Sequence, residues 1–321
     1  MGGMTGNALL SLAIRPKTEA DRERLARGIT TLMADDPTMS AKTDPATGEV
    51  VVAGIGELHL EIIVDRLKRE FNVEATVGRP QVAYKETLTR TAEGEGRYVR
   101  RSVGRGQYAH AKVHLYPGEP GSGYVFENEI IGGAIPSEFI RAIDEGIKEA
   151  LTGGVLAGYP VDDVRIVLYD GSYHDVDSSE TSFKIAGTMA FHDAAKKAKP
   201  VLLEPVMHVE VVAPTECLGD VMGNLSSRRG QIQSREDCDS MQRIDARVPL
   251  SEMLGYAADL RFRTSGRGTF AMQFASYQPF DPVENQGADG DSLVGAPRKP
   301  TPPLRDSSVA LPEPIEDDPP D

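Results

Sequence analysis

The chain has 321 residues, with 35 Lys and Arg against 49 Asp and Glu, for a formal net charge of −14. Hydrophobic residues at 40% and charged residues at 26% fit a globular protein of two or three domains. No run of about 18 apolar residues occurs, which argues against a transmembrane helix. The short apolar run at 8–14 lacks the basic flank of a secretion signal, and Gly6 stands where a myristoylation pattern needs Ser or Thr. Cys217 and Cys238 cannot build a disulfide framework or a four-cysteine zinc site, so the expectation is a reducing, cytoplasmic compartment and no membrane partner.

In the first segment, 8–78, Leu10, Leu12 and Ile14 alternate as in a strand. Thr18 followed by Asp21 starts a helix whose inner face is Leu25, Ile29, Leu32 and Met33. Residues 44–48 read as a turn before a strand at 49–55. Leu60, Ile63, Val64 and Leu67 then form a second helical face, and Val73, Ala75 and Val77 a closing strand. The order βαββαβ predicts a ferredoxin-like plait.

The middle segment, 79–203, has strands near 82–88, 97–102, 109–115 and 164–169. One helix uses Phe139, Ile140, Ile143, Ile147 and Leu151 and stops at Gly153-Gly154; a second runs from about Ser178 to before Pro200. The third segment, 204–280, repeats βαββαβ. Thr215 caps a helix with inner residues Leu218, Val221, Met222 and Leu225, with Arg228 and Arg229 in its last turn and Gly230 ending it. Leu250, Met253, Leu254 and Ala257 mark its second helix, and Phe270, Met272 and Phe274 its last strand. Residues 281–321 carry a net charge of −7 and nine of the 22 prolines, a composition that predicts a disordered tail.

Two loops of the middle segment carry the chemistry. Residues 97–112 contain Arg97, Arg100, Arg101, Arg105 and Lys112 and no acid. Gly104 to His110, with Gln107 and Tyr108, mixes flexible backbone, charge, an amide and rings. That mix suits RNA, whose phosphates attract cations and whose bases stack on rings; a merely solvated charged face is the alternative. The second loop holds Ser172, Tyr173, His174, Asp175 and Asp177. Its spacing matches no nucleophile motif. His174 with Asp175 and Asp177 is a weak metal pattern, and Asp177 or Ser178 as an N-cap reads better, leaving His174 at a loop tip. Residues 56–61 lack the second histidine of a zinc-protease helix. Glu57 and Glu61 there favour the helix dipole, and His59 is expected to be partly buried and hydrogen-bonded. No GxxxxGK[ST] and no Asn-Lys pair occurs, so no triphosphate site is recognisable.

These stretches resemble the elongation factor G family of translational GTPases. The likeness rests on Ile14-Arg15-Pro16-Lys17-Thr18, Gly54-Ile55-Gly56-Glu57-Leu58-His59-Leu60, Phe71-Asn72-Val73-Glu74-Ala75, Gly104-Arg105-Gly106-Gln107-Tyr108, Gly153 to Pro160, Tyr169 to Ser179, Leu218 to Gly223 and Pro249 to Tyr256, in the family's order over about 9–280. The resemblance implies an α+β chain in which 8–78 and 204–280 are the third and fifth domains. The stretch 79–203 would be the fourth, a tRNA-mimicking, ribosomal-protein-type α/β domain with a left-handed crossover. It further implies a ribosome-binding role in tRNA–mRNA translocation. Arg101, Arg105, Gln107, Tyr108, His110, Ser172, Tyr173, His174 and Asp175 would form the tip that touches A-site tRNA and mRNA. Asn224, Arg228 and Arg229 would face large-subunit rRNA. GTP and Mg belong to the family's G domain, which, like the second domain, has no counterpart in these residues. The expectation is therefore a monomer with no cofactor or metal and no GTPase activity alone, partnered by the ribosome and by a separately encoded G domain, with apolar surface left open on the first plait. Ala109 stands where the family has Gly. Ribosome recycling, ribosome protection and a non-catalytic RNA-interaction fragment are the alternative roles.

Overall fold

The computed structural model describes residues 9–43, 49–100 and 106–280. The expected turn at 44–48, Arg101, Arg105 and the segment 281–321 lie outside the described residues. The chain is α+β with three sheets.

The first sheet comes from β1 (Leu10–Pro16), α1 (Glu19–Asp35), β2 (Ser40–Thr43), β3 (Val50–Gly54), α2 (Glu57–Glu70) and β4 (Ala75–Val77). Its strand order is β2-β3-β1-β4, with antiparallel pairs throughout. Leu10, Leu12 and Ile14 face Leu25, Leu32, Leu60 and Leu67 in the core, as period-two and helical alternation require. The Thr18 hydroxyl accepts the Asp21 N–H at 3.1 Å, the expected cap. Met33 is exposed instead of inward, because the stripe through Leu25, Ile29 and Leu32 already fills the face turned to the sheet.

The middle sheet comes from β7 (Ala92–Arg100), β8 (Gln107–Pro117), β9 (Tyr124–Asn128) and β10 (Val164–Ser172), in the order β7-β8-β10-β9; only β9 pairs in parallel, with β10. Two helices, α3 (Ser137–Gly153) and α4 (Glu180–Lys197), complete the unit. Gly94 and Gly96 let β7 lie against the backbone of α4. A Cβ on either would collide with the carbonyl of Ala190 or Ala186, so these glycines serve packing.

The strand expected at 82–88 is two strands that leave the middle sheet. One, β5 (Gln81–Val82), pairs with β1, and the other, β6 (Lys85–Leu88), pairs with the start of β11 (Pro200–Pro214). The third sheet adds β12 (Gln231–Cys238), β13 (Met241–Pro249) and β14 (Thr269–Pro279), in the order β12-β13-β11-β14. Its first helix, α5 (Leu218–Ser227), follows a 3₁₀ turn at Thr215–Cys217, and Thr215 makes no capping bond. Arg228 is the C-cap and Arg229 takes a left-handed φ of 58°, so both lie just past the helix. The second helix is split into α6 (Leu250–Met253) and α7 (Tyr256–Arg263) by Gly255 at φ 72°. That break resets the helical phase: Tyr256 and Leu260 turn inward, and Ala257, expected inside, is exposed. The first and third units touch where Glu57 accepts the Gly255 N–H at 3.0 Å. No helix of the described residues is long and apolar enough to cross a membrane.

Candidate functional site

The described parts of the two candidate loops meet at one end of the middle sheet. Antiparallel pairing of β8 with β10 sets His110 opposite Ser172, and pairing of β7 with β8 sets Arg100 opposite Gln107. Side chains and backbone then bind the loops to each other. The Gly106 N–H donates to Asp177 Oδ1 at 3.1 Å, the Tyr108 N–H to the Asp177 carbonyl at 2.9 Å, and Ser178 Oγ to the Tyr108 carbonyl at 2.8 Å. The Tyr108 and Ser172 hydroxyls lie 2.7 Å apart. Asp177 and Ser178 are therefore loop-to-loop ties. The N-cap of α4 is Ser179, whose Oγ accepts the Ser182 N–H at 3.2 Å.

The expected site residues fall into two sets. Gln107, Tyr108, His110 and Ser172 lie beneath the end as scaffold. Gln107 Oε1 accepts the Tyr98 hydroxyl at 2.9 Å. His110 is enclosed between Ser172, 3.2 Å from Nδ1, and Glu95, 2.7 Å from Nε2. Tyr173, His174, Asp175 and Val176 face solvent, with the His174 side chain 58% exposed. The Nδ1 of His174 accepts the Val176 and Asp177 N–H groups at 3.3 Å, which leaves Nε2 directed away from this loop turn. Of the cationic run, Lys112 is matched by Asp170 at 3.1 Å, which raises the lysine's pKa and lowers the carboxyl's. Arg97 and Arg100 are exposed, and neither forms an ion pair among the described residues. No group of three metal-ligating side chains occurs among the described residues.

Asn224, Arg228 and Arg229, expected to face large-subunit rRNA, each have partners within the chain. Asn224 is buried. Arg228 donates to the Glu252 carbonyl, pairs with Asp259 and lies over the Tyr256 ring. Arg229 pairs with Glu204, whose carboxyl burial pushes up, and stacks on Phe280. The face that α5 shows to solvent is Gly219, Asp220, Gly223, Ser226 and Ser227, with no cation. A helix C-terminus is a favourable place for positive charge, yet each guanidinium is taken up by an acid far along the chain.

Sequence reasoning passed over a third loop at the same end. Ile131 is 87% exposed, just after β9, while Ile135 is buried so close to Gly171 that a Cβ there would meet it at 2.5 Å. Gly132-Gly133, both at positive φ, was the available signal.

These features describe an α+β protein that displays a loop-built, partly cationic end on its middle sheet. Three family models match the chain: Elongation Factor G, domain III over 6–79, Elongation factor G, domain IV over 80–199, and Elongation factor G C-terminus over 201–287. The chain belongs to the elongation factor G family, with no GTPase domain among the matches. In that family domain IV and the C-terminal domain bind the ribosome. A crystal structure of a protein from Thermus thermophilus aligns at a TM-score of 0.68 and 40% identity, over 88% of this chain and 42% of that one. This chain thus spans about two fifths of the length of the protein it resembles.

Proposed function

We propose that this chain is a ribosome-binding, cytoplasmic part of a translation elongation factor that acts in tRNA–mRNA translocation. The observation that supports it most is the meeting of the 106–112 and 171–179 stretches at one exposed end, with Arg97 and Arg100 exposed beside it and in no ion pair among the described residues. On this reading the domains are 8–78, 79–203 and 204–280. The outer two are ferredoxin-like, and the middle one is of the ribosomal-protein type with a left-handed crossover. Tyr173, His174 and Asp175 meet tRNA and mRNA at the tip. The work is done by shape and charge: a rigid end enters space left by the moving tRNA and opposes its return. No bond is made or broken at the tip. GTP and Mg act in the family's G domain, coupled through the first unit.

Pelleting with purified bacterial 70S ribosomes tests this. The chain should co-sediment at low salt and be released as salt rises, because Arg–phosphate contacts displace counterions. Replacing Tyr173 and His174 by Ala should weaken pelleting. A chain that stays in the supernatant at low salt would overturn the reading.

A further inference from the structure

The first sheet ends on a short strand. β4 has three residues and pairs with β1 over Ile14 to Pro16. Asn72, at φ 51°, turns the chain out of α2, and the Val73 N–H bonds back to the Leu67 carbonyl at 3.2 Å. Between β4 and α2 lies an open cavity of about 420 Å³. That size falls within the range of small-molecule sites, about 300–1,000 Å³.

The floor of the cavity is part of the buried core, formed by Ile14, Leu67 and Val73. Val64, Ala75 and Val77 supply apolar walls. The charged residues that line it are Lys17, Lys68 and Glu74. Glu74 accepts a hydrogen bond from the Lys17 ammonium at 3.2 Å. Lys68 is exposed and forms no ion pair among the described residues. One carboxylate therefore stands against two ammonium groups, leaving one positive charge in excess beside an apolar floor. On α2, Val64 and Lys68 lie one turn apart on one flank of the core stripe Leu60, Ile63 and Leu67. His59 and Arg66 lie on the other flank, about 140–220° round from Val64. The cavity is thus on a different side of the helix from the His59–Asp36 contact and from exposed Leu58 and Ile62.

We propose that this cavity is a binding site for a free alkyl carboxylate, whose chain rests on Ile14, Leu67 and Val73 and whose carboxylate meets the Lys68 ammonium. The site goes beyond the ribosome-binding reading and does not depend on it. Taking the alkyl chain out of water supplies most of the affinity. The ammonium group supplies the choice of head group: an anion is attracted and an amphiphilic cation repelled. The floor is built from residues already packed in the core, so little ordering is left to be done on binding.

Isothermal titration of the full chain with sodium decanoate tests this. One saturable site is expected, with a Kd on the order of 0.1 mM, and no binding of decyltrimethylammonium. Ala75→Leu fills the cavity from its wall and should abolish decanoate binding while the melting temperature holds. Lys68→Gln, at an exposed position, should weaken decanoate about threefold, the scale of one exposed charge pair, and leave decanol binding unchanged. No saturable binding up to about 1 mM, equal affinity for decanoate and decyltrimethylammonium, or an Ala75→Leu chain that binds decanoate like the parent would each overturn the proposal, the last result pointing to the apolar surface around Leu58 and Ile62. Should Ala75→Leu fail to fold, Lys68→Gln decides alone, and an unchanged decanoate affinity there overturns the proposal. Pelleting with ribosomes is read separately, so either reading can fail while the other stands.

Discussion

Glu86 Oε1 accepts the backbone N–H of Ala157 at 2.7 Å, across 71 residues of sequence. The same carboxylate takes the N–H groups of Val155 and Leu156 on Oε2 and of Gly158 and Tyr159 on Oε1, between 2.6 and 3.1 Å. It is fully buried. The loop after α3 is thus an anion nest filled from within. Because β6 pairs with β11, this one side chain also ties that loop to the third sheet. Glu86→Gln keeps the shape but turns an NH₂ group toward N–H donors. The expected loss is about 2–4 kcal/mol in urea unfolding. A loss under about 1 kcal/mol would mean that the nest tolerates a neutral occupant.

Asp21 makes the first unit acid-sensitive. Its carboxylate takes the Thr18 hydroxyl at 2.6 Å, the Glu74 N–H at 3.0 Å and Arg24 at 2.7 Å, and these hold its pKa well below the usual carboxylate range. A depressed native pKa contributes stability that is full above the unfolded value, about 3.9, and is lost as pH falls toward the native one. Urea midpoints should therefore drop below about pH 4. Asp21→Asn should lower stability at neutral pH and flatten the acid limb. An unchanged acid limb would assign the pH dependence to other carboxylates.

Tyr256 offers the opposite case. Burial pushes its phenol up to about 12, and its hydroxyl has no hydrogen-bond partner among the described residues. Tyr256→Phe removes that unmatched group and keeps the ring over which Arg228 sits at 5.3 Å. Thermal melting should show stability unchanged or raised by up to about 1 kcal/mol. A loss beyond about 1 kcal/mol would reveal an unseen partner for the hydroxyl.

The first unit leaves Ile55, Leu58 and Ile62 exposed, with Leu58 and Ile62 one turn apart on α2. Leu58→Ser with Ile62→Ser should change stability by no more than about 0.5 kcal/mol per site, as at open surface positions. The same pair should weaken binding of a supplied elongation factor G domain. Stability loss well above that limit would place both side chains in the core.

Local chemistry was legible in the sequence where local forces decide. Leu10, Leu12 and Ile14 alternate and Thr18 caps as read. His59 is half-enclosed, as expected, with Asp36 at 2.7 Å. What failed depends on partners distant in the chain. β9 lies between glycines and carries polar residues, and it exists because β10 pairs with it. β5 and β6 look like one strand until the two outer sheets claim them. Asp259 and Glu204, which hold Arg228 and Arg229, are likewise invisible at helix range. At the tip the residue types were readable, but the 2.7 Å approach of Tyr108 to Ser172 follows from the β8–β10 register. That register decided which residues are scaffold and which face solvent.

Directed hydroxyl-radical cleavage tests the tip most directly. An iron chelate would be tethered at Val176→Cys, in a chain whose Cys217 and Cys238 are replaced by Ser, and bound to 70S ribosomes. The account predicts cuts in small-subunit rRNA around the decoding region. Cuts confined to the large subunit, or none from a chain that still pellets with ribosomes, would contradict it.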